Sequence, residues 1–216
     1  PGTPSDYYLD RLWISLPWAK EDSWIPYESA TVGGALRLAN CLRVAAGKAG
    51  YGTKVLPPHT AMGVAVTAAE ERQSPTWVAT VAEVTVDPTT GIFKINRLTI
   101  AMDCGTIVNP VNVDAQIRAS ALWGASQIMQ EQITLKDGAF VETNFDTYRP
   151  MRMADTPQID VHLVPSEHHP SGVGEPASTT VAPAVANAIF RATGVRVRHM
   201  PLHAEALLEG IRKKKA

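Results

Sequence analysis

Residues 77–103 read WVATVAEVTVDPTTGIFKINRLTIAMD, two runs rich in Val, Ile and Thr on either side of Pro88-Thr89-Thr90-Gly91. Alternating β-branched runs around a Pro/Gly turn predict an antiparallel hairpin. Upstream, Leu36, Ala39, Leu42 and Ala46 recur at helical spacing and stop at Gly50-Tyr51-Gly52, which predicts a helix over 34–49. Between the two lies the short apolar run MGVAVTAA, residues 62–69.

Downstream, Gly105 and Asn109-Pro110 end the second strand. Residues 113–130 then carry Ile117, Ala121, Leu122, Gly124, Ala125, Ile128 and Met129 on a broad face of small residues, a helix built for close packing. ITLKDGAFVET (133–143) predicts a second hairpin tipped by Lys136-Asp137-Gly138, and QIDVHLV (158–164) a strand after the loop 144–157. A helix capped by Thr179 or Thr180, with Pro183 in its first turn, is expected to run to Gly194. A strand VRVRHMP (195–201) and an amphipathic helix AEALLEGIRK (204–213) follow. The pattern is α+β, hairpin-rich mixed sheets with packed helices. Residues 1–33, crowded with Trp, Tyr and Pro, read as an irregular, partner-contacting arm with one short strand around Leu12–Ile14, and 34–216 as the folded domain.

With 216 residues, 45% hydrophobic, and a formal net charge of −1, the chain has the composition of a soluble globular protein. Its basic end, Arg212 to Lys215, is too short to imply nucleic acid, and no apolar run reaches membrane-spanning length. The first residues lack the order of a secretory signal, which implies a mature or cut chain. Two cysteines, Cys41 and Cys104, in no Cys-x-x-Cys pair, cannot assemble an iron–sulfur cluster or a cysteine-rich zinc site. They are either one disulfide or two buried thiols.

SGVGEP, residues 171–176, carries the chemistry. Glu175 precedes a helix start, where unpaired N–H groups and the helix dipole favour an anion. Gly172 and Gly174 would let a flat ligand approach the backbone, and Pro176 is expected to keep Glu175 extended. The plainer alternative is a tight Gly-x-Gly turn with a helix-start carboxylate. Glu167, His168, His169 and His162 lack a third ligand at metal spacing. Asp103 and Cys104 suit the fixing of a turn.

The ordered series MDCGTIVNP (102–110), Gln116, the Lys-Asp-Gly hairpin, NFDTYRPMRMADTPQIDVHLV (144–164) and GVGEPASTTVAPAVANAIFRATGVRVRHMPL (172–202) resembles a known family. It is similar to the C-terminal part of the molybdopterin-binding large subunit of the xanthine oxidase, or molybdenum hydroxylase, family. The branch it resembles holds isoquinoline 1-oxidoreductase and related aldehyde and nicotinate dehydrogenases. The likeness spans about residues 58–202.

The resemblance implies a heteromeric oxidoreductase that oxidises an aldehyde or N-heterocycle with water as oxygen source. Glu175 would be the general base to the molybdenum-bound hydroxyl. Gln116, Gly172, Val173 and Gly174 would hold a molybdopterin, its cytosine dinucleotide form being one option, and Tyr148 and Arg149 would approach the substrate. Where the family has Gln-x-Glu-Gly followed by Gly or Ala, this chain has Gln116-Ile117-Arg118-Ala119-Ser120, with a β-carbon where none is expected. The family's Gly-Gly-x-Phe-Gly and Arg-Gly loops are not in these residues, so a second molybdopterin-binding chain would complete the site and a separate iron–sulfur subunit would take the electrons. The rival readings are a catalytically silent structural subunit and a metal-dependent hydrolase built on Glu175 with His168 and His169.

Overall fold

A computed structural model describes residues 34–71 and 74–215. The expected arm over 1–33 lies outside the described residues. The elements are α1 (Gly34–Ala49), β1 (Thr60–Glu71), β2 (Ser74–Val86), β3 (Phe93–Asp103), α2 (Pro110–Met129), β4 (Leu135–Lys136), β5 (Ala139–Phe140), a 3-10 turn (Met153–Asp155), β6 (Gln158–Leu163), α3 (Pro176–Thr193) and α4 (Ala204–Lys215). The class is α+β, with one mixed sheet in the order β1-β2-β3-β6 and a separate β4-β5 hairpin.

The expected hairpin is present as β2 and β3, paired antiparallel from Trp77↔Asp103 to Val86↔Phe93. Its turn is fixed by Asp87, whose carboxylate accepts from the Thr89 N–H at 2.8 Å and the Thr89 hydroxyl at 2.6 Å. The run MGVAVTAA turns out to be the middle of the twelve-residue β1, antiparallel to β2 along its whole length. β6 closes the other edge parallel to β3.

Both faces of the central strands are covered, so burial there is continuous rather than alternating. Val78, Ala82, Val84 and Val86 join Ile117, Ala121, Ala125, Val181, Val185 and Ile189 in a core between the sheet and α2 with α3. Trp77, Ala79, Val81 and Ala101 join Leu38, Cys41 and Ala45 in a second core under α1. The period of two still sorts side chains between the two cores. Side chains reach water at the end of the hairpin nearest its turn, at the half-buried Glu83 and Thr85 of β2 and at Lys94, Asn96 and Arg97 of β3.

Three expectations are corrected. Helix α3 starts at Pro176, not after Thr179 or Thr180. Thr180 is buried and bonded at 2.7 Å to the Thr80 hydroxyl on β2, and its own hydroxyl donates to Ala177 O. Pro183 therefore lies inside the helix, but on its exposed side, where water can reach the carbonyl that its missing N–H leaves unpaired. Residues 195–201 form no strand. Val195 packs against Gly210 of α4, and Arg196 lies 3.8 Å over the Phe190 ring while donating to Asn187 Oδ1, so side-chain contacts to α3 and α4 hold this segment rather than a sheet pairing. Glu175 is not extended: it caps α3 in right-handed helical geometry, φ −114 and ψ −27. The cysteines are two buried free thiols, and burial pushes Cys41 up to about 12.

Candidate active site

β3 delivers Asp103 to the edge of the second core, where Arg37 of α1 grips it with two bonds, Nε to Oδ2 and Nη2 to Oδ1, both 2.7 Å. The two side chains are 8% and 4% exposed. Burial alone would raise the Asp103 carboxyl; the Arg37 guanidinium and the Gly105 N–H outweigh it and hold the group below the usual carboxylate range. As expected from the sequence, Asp103 fixes the turn, but its partner, 66 positions away, had no local signal.

Beyond Asp103 the chain is zipped to the segment after β6. Met102 O accepts from Val164 N at 2.8 Å, His168 O from Thr106 N at 2.8 Å, and Cys104 O from Ser171 N at 2.9 Å. Gly105, at φ 75, allows this approach: a β-carbon there would stand 2.0 Å from His169 O. His168 thus serves the zip through its backbone carbonyl, and the His169 carbonyl lies close against Gly105. Among the described residues no three His, Cys, Asp or Glu side chains converge on a metal position.

The loop 171–174 is then pinned to the sheet. Thr76 Oγ1 lies 2.7 Å from Ser171 Oγ and donates to Gly172 O at 2.6 Å, which makes Ser171 the donor of the first bond. Neither Gly172 nor Gly174 has a positive φ, so no left-handed turn demands them. Gly174 instead keeps space open: a β-carbon there would meet only Gln116 Oε1, 3.7 Å away.

Glu175 is held by its backbone. Its carbonyl accepts from Ser178 N at 3.0 Å, Ser178 Oγ at 2.8 Å and Ser120 Oγ at 3.0 Å. Its carboxylate makes no capping bond, is exposed, and has no hydrogen-bond or ion-pair partner among the described residues. The anchoring function and the charged function of this residue are separate.

Helix α2 faces the loop. Asn109 caps it, its Oδ1 accepting from Asn112 N at 3.1 Å, with Pro110 in the first turn. Gln116 reaches Gly174, Ser120 reaches Glu175, and Gly124 brings the helices together, since a β-carbon there would stand 2.7 Å from Ser178 O. A cavity of about 250 Å³ opens beside this seam, lined by Asn109, Asn112, Gln116, Ser171 and Val173 among others. The substituted positions do not block it. Arg118 ion-pairs with Asp114 and donates to Ile159 O, Ala119 is exposed, and Ser120 is buried in the seam.

The structure therefore brings Gln116, Val173, Gly174 and Glu175 together, with Gly172 spent on the pin to Thr76. Tyr148 lines a different cavity of about 310 Å³ with Ile133, Glu142, Asn144 and Phe145. Its hydroxyl donates to Glu131 Oε2 at 2.5 Å, which raises it above the usual phenol range. Arg149 is exposed beside it. Ser120, Thr76 and Asn112 were missed in the sequence; only Ser120 carried a signal, standing one helical turn beyond Gln116.

Comparison with known proteins supplies the family. The molybdopterin cofactor-binding domain family matches residues 44–157, just over half of the chain. The chain belongs to this family, of the xanthine oxidase type. The match begins earlier than the resemblance at 58 and ends before the loop 171–176.

Among relatives, a membrane-bound aldehyde dehydrogenase of Gluconacetobacter polyoxogenes, named for pyrroloquinoline quinone, is 46% identical over 84% of this chain and 23% of its own. A nicotinate dehydrogenase subunit of Pseudomonas putida is 38% identical over 60% of this chain and 11% of its own. Quinoline 2-oxidoreductase from Pseudomonas putida 86 shares the fold, with TM-score 0.57 and 24% identity over 65% of this chain and 19% of that one. The chain spans less than a quarter of the length of these relatives.

The residues present suit the family's cofactor. The Gln116 and Asn112 amides offer both donors and acceptors to a heterocycle edge, and Gly174 leaves room beside Gln116.

Proposed function

We propose that this chain supplies one wall of the molybdopterin site of a molybdenum hydroxylase that oxidises an aldehyde or N-heterocycle, with Glu175 as its general base. The observation that carries this reading is Glu175 itself: a backbone carbonyl held by three hydrogen bonds, with an exposed carboxylate left unspent on the residue that follows Gly174. When bound, the molybdenum–pterin centre supplies the water-derived oxygen and takes up the two electrons of the oxidation.

The chain's own residues do the rest. Gln116 and Asn112 orient the pterin edge; Gly174 and Val173 let it approach; the Glu175 carboxylate takes the proton released as oxygen is transferred to substrate. Tyr148, which lines the second cavity, and the neighbouring Arg149 would meet substrate rather than pterin. The exposed Glu175 calls for a second molybdopterin-binding segment or chain opposite. With two buried thiols as its only cysteines, this chain passes electrons to iron–sulfur clusters held elsewhere. Residues 34–216 act as the cofactor-binding unit, 1–33 as an arm on a partner, and the cytosine dinucleotide is the proposed pterin form.

Glu175→Gln keeps shape and removes basicity. In the assembled enzyme it is expected to lower kcat by about 10²–10⁴-fold with molybdenum and pterin content unchanged. A near-normal rate rejects Glu175 as base. The relative named for pyrroloquinoline quinone gives the one alternative worth testing. Metal and cofactor analysis of the purified enzyme separates the two: molybdenum with pterin supports this reading, and quinone without molybdenum replaces it.

A further inference from the structure

The face of α2 that meets the loop does two things one helical turn apart. Gln116 lies against Gly174, and Ser120, at i+4, enters the start of α3. Ser120 is 1% exposed. Its hydroxyl donates to Glu175 O and accepts from Ser178 N, both at 3.0 Å. Among the described residues it is the side chain from outside the loop and α3 that bonds to the Glu175 backbone, and the family's Gly or Ala at this position would lack the hydroxyl.

We infer that Ser120 is a positioning residue for Glu175: through its two bonds it sets where α3 begins and so where the carboxylate stands relative to Gln116. This rests on the reading of Glu175 as the base. The local chemistry makes the bond consequential. Glu175 occupies a helical conformation that a following proline disfavours, so the cap geometry must be held by contacts rather than by local preference. Ser178 bonds from within the same turn and moves with it, whereas Ser120 ties that turn to a separate helix. A base misplaced by about an ångström loses up to roughly a hundredfold in rate.

The test is a double-mutant cycle in the assembled enzyme: Ser120→Ala, Glu175→Gln and the pair, with kcat, KM and molybdenum content measured for each. Single-turnover reduction by substrate gives the rate for the slowest variants. Ser120→Ala is expected to lower kcat about tenfold with KM and molybdenum content unchanged, and to add nothing in the Glu175→Gln background. Ser120→Thr, which keeps the hydroxyl, is expected to recover most of the rate if its methyl is accommodated. Independently of activity, hydrogen exchange at the Ser178 amide is expected to quicken in Ser120→Ala while the middle of α3 is unchanged.

A wild-type kcat in Ser120→Ala, or the same fractional loss with and without the Glu175→Gln change, overturns the inference. Unchanged exchange at Ser178 does so too. If Glu175→Gln alone keeps its rate, the base reading fails first, and quickened Ser178 exchange would then report only a structural tie.

Discussion

At the residue scale, the same device appears twice: a charged group is placed by a partner distant in sequence. Arg37 and Asp103 meet in a nearly water-free position, so removing Arg37 takes the cationic partner from a buried carboxylate. Arg37→Ala is expected to cost about 3–5 kcal/mol in urea unfolding at pH 7. The Asp103 carboxyl titrates below its unfolded value of roughly 3.9, so the pair's contribution is fully present above that pH and disappears as pH falls through the folded value. The stability gap between the wild type and Asp103→Asn should therefore hold steady from pH 7 to about 5 and narrow below about 4. A gap that does not change with pH would show that Asp103 is not titrating as a paired carboxylate. Glu175 differs in kind, because only its carbonyl is tied down.

At the element scale, the site depends on how closely helices can approach. Gly63 of β1 lets α3 lie on the sheet: a β-carbon there would stand 2.1 Å from Ala188 N and 2.2 Å from Ala184 O, both rigid backbone. Gly124 does the same between α2 and α3. Gly63→Ala is expected to destabilise by about 1–3 kcal/mol, through displacement of α3 rather than loss of any contact, read as a lower urea midpoint. Because Glu175 caps α3, the same variant should lower kcat in the assembled enzyme. An unchanged midpoint would mean that the helix does not lie so close to the sheet. The small-residue face of α2 was legible as a packing face, whereas Asn109-Pro110, legible as the end of the strand, also proves to be the start of the helix. The start of α3 was misread because Thr179 and Thr180 are good cap residues in isolation, while the capping position is set by Ser120, 55 residues upstream.

At the scale of the whole molecule, one sheet carries two cores, α1 on one face and α2 with α3 on the other, and both draw on β2 and β3. Shared strands couple the two sides, so the chain is expected to unfold in urea as one transition, coincident by tryptophan fluorescence and far-UV circular dichroism. Two separated transitions would show that α1 detaches on its own. The coupling also links Arg37 under α1 to the loop across the sheet, because the zip from Met102 to Ser171 starts where Asp103 is gripped.

What the sequence determined by itself was local: the β2–β3 hairpin from its β-branched runs and turn, the helices from their spacing, the second hairpin from Asp137-Gly138, and the family from ordered motifs. These follow from preferences that act within a few residues. Tertiary structure alone decided that MGVAVTAA is a full strand, that 195–201 is not one, that Tyr148 opens onto a separate cavity, and that Ser120 rather than a threonine sets the start of α3. Each depends on a partner outside the segment itself, and no local propensity encodes which other group will supply the missing hydrogen bond or fill the missing volume.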